Sequence, residues 1–135
     1  MPLRSAYFAD WKGNTVLFWG DAAGMRALRD FLRSIGPASN APKLDGFCDA
    51  VDDRKITVIA VSDQRDTGIF FAGDGLEWRL QPDLAEVFAE KVAVLASCAA
   101  GHQYLDAYNC EINVEVSTGE YPESLHPDRP TDARS

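Results

Sequence analysis

Two segments with helical periodicity, each placed between consecutive strand-like runs, constrain the fold of this chain more than any other feature. In the first, apolar residues recur at three- and four-residue steps after Asp21, whose side chain can cap the amino terminus of a helix. This pattern predicts a helix over 22–35. Pro82 suits the first turn of a second helix, predicted over 82–100. The buried stripe predicted for this second helix consists of Leu84, Val87, Phe88, Leu95 and Ala99.

The runs around these helices have the composition of strands. They are rich in aromatic and β-branched residues, and turns with Gly, Asn and Asp separate them. The predicted strands cover 5–9, 15–20, 56–62, 68–72, 76–80, 102–106 and 110–117, with the three from 56 to 80 forming a meander. Consecutive strands favour hairpins, so the order ββαβββαββ predicts an α+β fold with a mostly antiparallel sheet and two helices. The 135 residues suffice for a single domain, which we place at 1–117.

Two of the predicted strands are apolar on both faces, which is typical of central strands covered on both sides. They contain the runs 16–19 and 56–61. Two helices can cover only one face of a sheet, so a second layer must come from the span 36–55, from the residues after 117 or from another subunit. Residues 118–135 are rich in proline and predict a surface tail, although Tyr121 and Leu125 can hold its first part against the domain.

The net charge limits the class of partner. Twenty-one Asp and Glu residues against thirteen Lys and Arg residues give a net charge of -8. This charge disfavours binding to nucleic acid phosphates and to an anionic membrane surface, and it favours a basic protein as partner. The acids that we expect at such an interface lie on the 36–55 span and on the last strand. They are Asp45, Asp49, Asp52, Asp53, Glu111 and Glu115.

The cysteines and the apolar runs indicate the compartment. Cys48, Cys98 and Cys110 are too far apart for the close ligand pairs of a zinc site or for a redox Cys-x-x-Cys motif, and an odd number fits a disulfide framework poorly. The sequence contains no run typical of a signal peptide or a transmembrane helix. We therefore expect a cytoplasmic protein with reduced thiols that needs no metal or cofactor.

One set of polar residues suggests catalysis. His102, Tyr104 and Asp106 share one face of a predicted strand, and an imidazole beside a phenol and a carboxylate can transfer protons. A three-residue loop after Asp106 would place His102 and Tyr104 on the core side with Ile112 and Val114, whereas a register shift of one residue would reverse this. The core-side register favours a structural histidine, so we assign no catalytic residue.

The end of the chain resembles known proteins. The residues that carry the resemblance are Gly101-His102-Gln103-Tyr104-Leu105-Asp106, Val114-Glu115-Val116-Ser117 and Gly119-Glu120-Tyr121-Pro122. Over residues 101–123 the chain is similar to small uncharacterised bacterial α+β proteins, some of which resemble immunity proteins of polymorphic toxin systems. This resemblance implies a protein that binds and neutralises a toxin.

Three functional hypotheses follow. The leading one is a cytoplasmic protein-binding module, an immunity-like inhibitor of a basic toxin or enzyme. The alternatives are a small enzyme that uses His102 and Asp106, and a structural homodimer that forms through the two-faced apolar strands around Phe18 and Ile59.

Overall fold

A computed structural model describes residues 2–11, 13–35 and 44–128. Its two helices are α1 (Ala22–Arg33) and α2 (Pro82–Leu95). The strands are β1 (Leu3–Phe8), β2 (Thr15–Gly20), β3 (Cys48–Ala50), β4 (Ile56–Ala60), β5 (Gly68–Ala72), β6 (Gly75–Leu80), β7 (Gly101–Tyr104) and β8 (Asn113–Thr118). The predicted α+β class and the two helices are confirmed. The order of elements also agrees, apart from the short additional strand β3.

The strands form two mixed sheets rather than one. The five-stranded sheet has the order β3-β1-β2-β8-β7, and the three-stranded sheet has the order β4-β6-β5. The antiparallel pairs β1–β2, β5–β6 and β7–β8 are accompanied by the parallel pairs β1–β3, β2–β8 and β4–β6. The predicted meander over 56–80 was wrong for its first two strands, because β4 does not pair with β5. The tight turn at Gly73 makes β5 the hairpin partner of β6, so β4 pairs with the other edge of β6.

A hairpin followed at once by a helix occurs twice in the chain. The carboxylate of Asp21 caps α1 as predicted, because its Oδ1 accepts a hydrogen bond from Gly24 N at 2.8 Å. Pro82 is the first residue of α2, also as predicted. The second strand of each hairpin also takes a parallel partner, since β2 pairs with β8 and β6 pairs with β4. The β2–β8 pair joins the first hairpin to the last strand of the chain.

Helix α2 is shorter than predicted, and its buried stripe agrees with the prediction at Phe88 and Leu95 only. It ends at Leu95, and Ala99 is exposed beyond its end. Val87 is exposed and Leu84 is only half-buried, which corrects the predicted stripe. The buried residues of α2 are Ala85, Phe88, Ala89, Val92 and Leu95. The small alanines face inwards because α1 packs directly against α2, and close helix packing favours small side chains there.

The main core lies on one face of the five-stranded sheet, where both helices and the inner face of the three-stranded sheet meet. Trp78 on β6 stacks between Phe18 on β2 and Phe88 on α2, with ring centroids 5.4 and 6.4 Å apart. These aromatic contacts join the two sheets directly and attach α2 to them.

A second, smaller cluster covers the opposite face of the five-stranded sheet. Leu125 is only 1% exposed and packs with apolar residues of β1 and β2. The Trp19 indole Nε1 donates a hydrogen bond to Pro122 O at 3.0 Å. The prediction that β2 is covered on both faces is therefore confirmed, and the first part of the predicted tail supplies the second layer. We name residues 119–128 the C-terminal segment; residues 129–135 lie outside the described residues.

Strand β4 does not have the central position that its apolar sequence predicts. It is an edge strand, and Ile59 on its outer face is 38% exposed. Both described helices pack on the inner side, so neither of them covers the outer face of β4. Helix α1 ends at Arg33, two residues before the predicted end, and residues 36–43 lie outside the described residues. In the part of the chain that the structure describes, no helix is long and apolar enough to cross a membrane.

Candidate functional site

An acidic cleft of about 320 Å³ runs beside the edge strand β3 and the beginning of β4. Leu44, Cys48 and Ile56 are buried and give it an apolar floor. The carboxylates of Asp45, Asp49 and Asp53 are exposed around this floor. The cleft thus combines an apolar surface with three negative charges within one concave site.

Local backbone geometry sets the positions of these acids. Asp45 lies in a single 3-10 turn, and Asp49 lies on β3 opposite Arg4 of β1. Asp53 has a φ of 60°, in the left-handed region that Asp adopts more readily than most residues. The carboxylate of Asp52 stabilises this turn by accepting hydrogen bonds from Tyr7 N at 2.8 Å and Arg54 N at 3.1 Å.

The charges of the cleft are only partly compensated. Lys55 Nζ lies 3.6 Å from Asp45 Oδ2, and both side chains are largely exposed, so water screens this ion pair. Three carboxylates therefore face one ammonium group within the cleft. On the floor, burial raises the pKa of the Cys48 thiol from 9.0 to about 11, so this thiol stays neutral and adds no charge.

An aromatic patch adjoins the cleft at Arg54. The Arg54 guanidinium lies over the rings of Tyr7 and Phe71, at 5.3 and 6.0 Å from their centroids. The two rings meet edge to face at 5.3 Å, and Phe71 is exposed. Aromatic and arginine side chains are the residues most often found in the energetic centres of protein interfaces.

The six acids predicted to bind a partner are placed differently by the structure. Asp45, Asp49 and Asp53 line the cleft, whereas Asp52 uses both carboxylate oxygens to hold the backbone. Glu111 is exposed in the connection before β8, away from the cleft residues in the sheet order. Glu115 is fully buried beneath the C-terminal segment, where Tyr121 Oη donates to its Oε2 at 3.2 Å. Glu115 therefore cannot contribute to an exposed acidic surface.

The predicted proton-transfer residues do not assemble into one site. His102 pairs with Ser117 and Tyr104 pairs with Glu115, which places both on the outer face of the sheet rather than the core side. The expectation of a core-facing histidine was wrong, because the connection between β7 and β8 is longer than three residues and changes the register. His102 is exposed, and its Nδ1 lies 3.0 Å from Glu120 Oε1.

Asp106 lies apart from His102 and Tyr104. It follows the end of β7 and lines a separate cavity of about 10 Å³ with Trp78 and Cys110. His102 is absent from the lining of that cavity. Nor do the described residues contain a group of three or more His, Cys, Asp or Glu side chains able to hold a metal ion. Glu120 was not predicted as the partner of His102, although it is part of the stretch that carries the resemblance.

Comparisons of the chain with models of protein families, with curated proteins and with solved structures gave no match.

Proposed function

We propose that this chain is a cytoplasmic protein-binding module that uses the acidic cleft to bind a basic segment of a partner, in the manner of an immunity-like inhibitor of a toxin or enzyme. The observation that carries the proposal is the grouping of Asp45, Asp49 and Asp53 around an apolar floor. A lysine or arginine side chain needs such a surface, because its methylene groups pack on apolar atoms while its charged end pairs with carboxylates.

The surroundings of the cleft support a protein as the ligand. The patch of Tyr7, Arg54 and Phe71 offers exposed aromatic area beside the acids. A cleft of about 320 Å³ accommodates one or two side chains rather than a folded element. The net charge of -8 adds a long-range attraction that accelerates encounters with a basic partner.

The test compares two triply substituted variants with the same change in charge. The first carries Asp45→Asn, Asp49→Asn and Asp53→Asn in the cleft. Its matched control neutralises three exposed acids of α2, namely Asp83→Asn, Glu86→Gln and Glu90→Gln. Tagged wild-type and variant chains are recovered from the native cell, and the co-purifying proteins are quantified by mass spectrometry.

We expect a basic protein that the wild type and the α2 control retain and that the cleft variant loses. With the purified pair, the association rate should fall as salt rises, because the Debye length is about 8 Å near physiological ionic strength. Equal recovery of the partner by both variants would contradict the proposal, since general acidity would then explain the binding.

Of the two strands predicted to form a homodimer, β2 is excluded because Phe18 is fully buried against Trp78; the homodimer remains a second candidate because β4 is an edge strand with an exposed Ile59. Edge strands with apolar side chains can pair with a second chain. Sedimentation across micromolar concentrations distinguishes the two candidates, since a strict monomer excludes the dimer and leaves the binding of a basic partner unaffected.

A further inference from the structure

A second cavity, of about 630 Å³, lies on the far side of β1 from the cleft floor. It forms where the beginnings of β1 and α1, the connection from α2 to β7 and the C-terminal segment meet. Its lining includes Arg4, Asp21, Ala22, Cys98, Ala99, Tyr121 and Glu123. Because four separate parts of the chain build it, this cavity exists only in the folded protein.

Arg4 is the cationic group of this cavity. Its side chain is only 19% exposed, yet its ion-pair partner is a carboxylate that is 84% exposed, that of Glu123, at 3.6 Å. This distance exceeds the roughly 2.7–2.9 Å of a charge-assisted hydrogen bond. A guanidinium carries five donors and is costly to bury without strong acceptors. Arg4 thus directs its donors into the cavity, where the exposed carboxylate of Glu123 is held only loosely as its ion-pair partner.

We propose that this cavity binds a small monocarboxylate, which displaces Glu123 and pairs with both prongs of the Arg4 guanidinium. The planar fork of arginine matches the two oxygens of a carboxylate. The approach of Glu123 shows that a carboxylate can reach Arg4 from the solvent side. The ring of Tyr121 and the side chains of Ala22 and Ala99 provide apolar contacts for the body of the ligand.

The other charges of the cavity restrict the ligand to a single negative charge. Asp21 and Glu123 also line it, so a dianion would be repelled. The start of α1 adds little attraction, because the carboxylate of Asp21 already caps it at Gly24 N. Arg4 is therefore the group that holds the anion. The two sites share no lining residue, although Asp49 of the acidic cleft lies opposite Arg4 in the sheet.

The test uses isobutyrate and its neutral isostere isobutyramide, each titrated into the ¹⁵N-labelled full chain at constant ionic strength. We expect the Arg4 Nε–H signal to shift saturably with isobutyrate, with a millimolar Kd as befits a ligand of so few atoms, and to be unaffected by isobutyramide. Arg4→Gln should weaken binding at least about tenfold, since it removes a charged bidentate pair. Glu123→Gln should tighten binding by about two- to fivefold, since it removes an exposed competitor.

Cys98 supplies a second readout that needs no substitution of Arg4. Cys98 is exposed and lines the cavity, and its thiol donates a hydrogen bond to Val94 O at 3.2 Å; the exposed Cys110 lies elsewhere and serves as the internal reference. Bound isobutyrate should slow the alkylation of Cys98 by iodoacetamide and leave the rate at Cys110 unchanged. The proposal is overturned if isobutyrate gives neither a saturable shift at Arg4 nor protection of Cys98, or if isobutyramide gives the same effects.

Discussion

The C-terminal segment should stabilise the whole domain, and Leu125→Ala tests this. Leu125 is 1% exposed and fills the centre of the cluster formed by Ala6, Phe8, Leu17 and Trp19. The substitution removes three carbons, and a transfer free energy of about 0.8 kcal/mol per methylene group gives about 2.4 kcal/mol. Incomplete relaxation around the cavity raises such losses to between about 2 and 5 kcal/mol. A segment near the chain end can settle into the gap, so we expect about 2–3 kcal/mol.

Urea unfolding followed by tryptophan fluorescence measures this loss, because Trp11 and Trp19 report on the outer cluster and Trp78 reports on the main core. The exposed neighbour Ser124 provides the control, and Ser124→Ala should change the free energy of unfolding by less than about 0.5 kcal/mol. A similarly small effect of Leu125→Ala would refute the reasoning, because the outer face of the sheet would then need no cover. Earlier loss of the outer tryptophan signals would instead show that the segment detaches before the core unfolds.

Three further predictions concern the acidic cleft and the cysteines. Asp52→Ala should lower the free energy of unfolding by about 1–3 kcal/mol, since two backbone N–H groups lose their acceptor. Asp53→Asn should be nearly neutral, because Asn tolerates positive φ. Urea unfolding of both variants checks these values. A thiol reagent should modify the exposed Cys98 and Cys110 in the native protein and reach Cys48 only after unfolding; native reactivity of Cys48 would contradict its burial. Because burial raises the pKa of Cys48 from 9.0 to about 11, the unfolded state releases this proton first, so a pH titration of stability should show a loss as pH rises from about 9 to 11.

The local elements of the fold were predictable because their signals lie within short stretches of sequence. A capping aspartate at Asp21, a proline at Pro82 and glycine turns define where helices and hairpins begin. The parallel pairings were not predictable in this way, since β2 and β8 are about a hundred residues apart in sequence. Nothing in either strand specifies the other as its partner, so two mixed sheets could not be distinguished from one.

Alternation along a strand shows which side chains share a face, but it does not show whether a later segment covers that face. Glu115 illustrates this limit. Its strand alternates clearly, yet Tyr121 and the rest of the C-terminal segment bury the face that the pattern marks as polar. In contrast, Asp49 and Asp53 are exposed as expected, Asp49 on the short edge strand β3 and Asp53 in the turn that follows it. The apolar floor beneath them depends on Ile56 of the other sheet, which only the tertiary structure brings near.

The stretch that carries the resemblance is accounted for by packing between the sheet and the C-terminal segment. Ser117 Oγ donates to Glu120 Oε1 at 2.6 Å, the same oxygen that lies 3.0 Å from His102 Nδ1, and Tyr121 contacts Glu115. These contacts hold the segment on the sheet. Much of the stretch 101–123 therefore serves to cover the outer face of the sheet, and the acidic cleft lies entirely outside it.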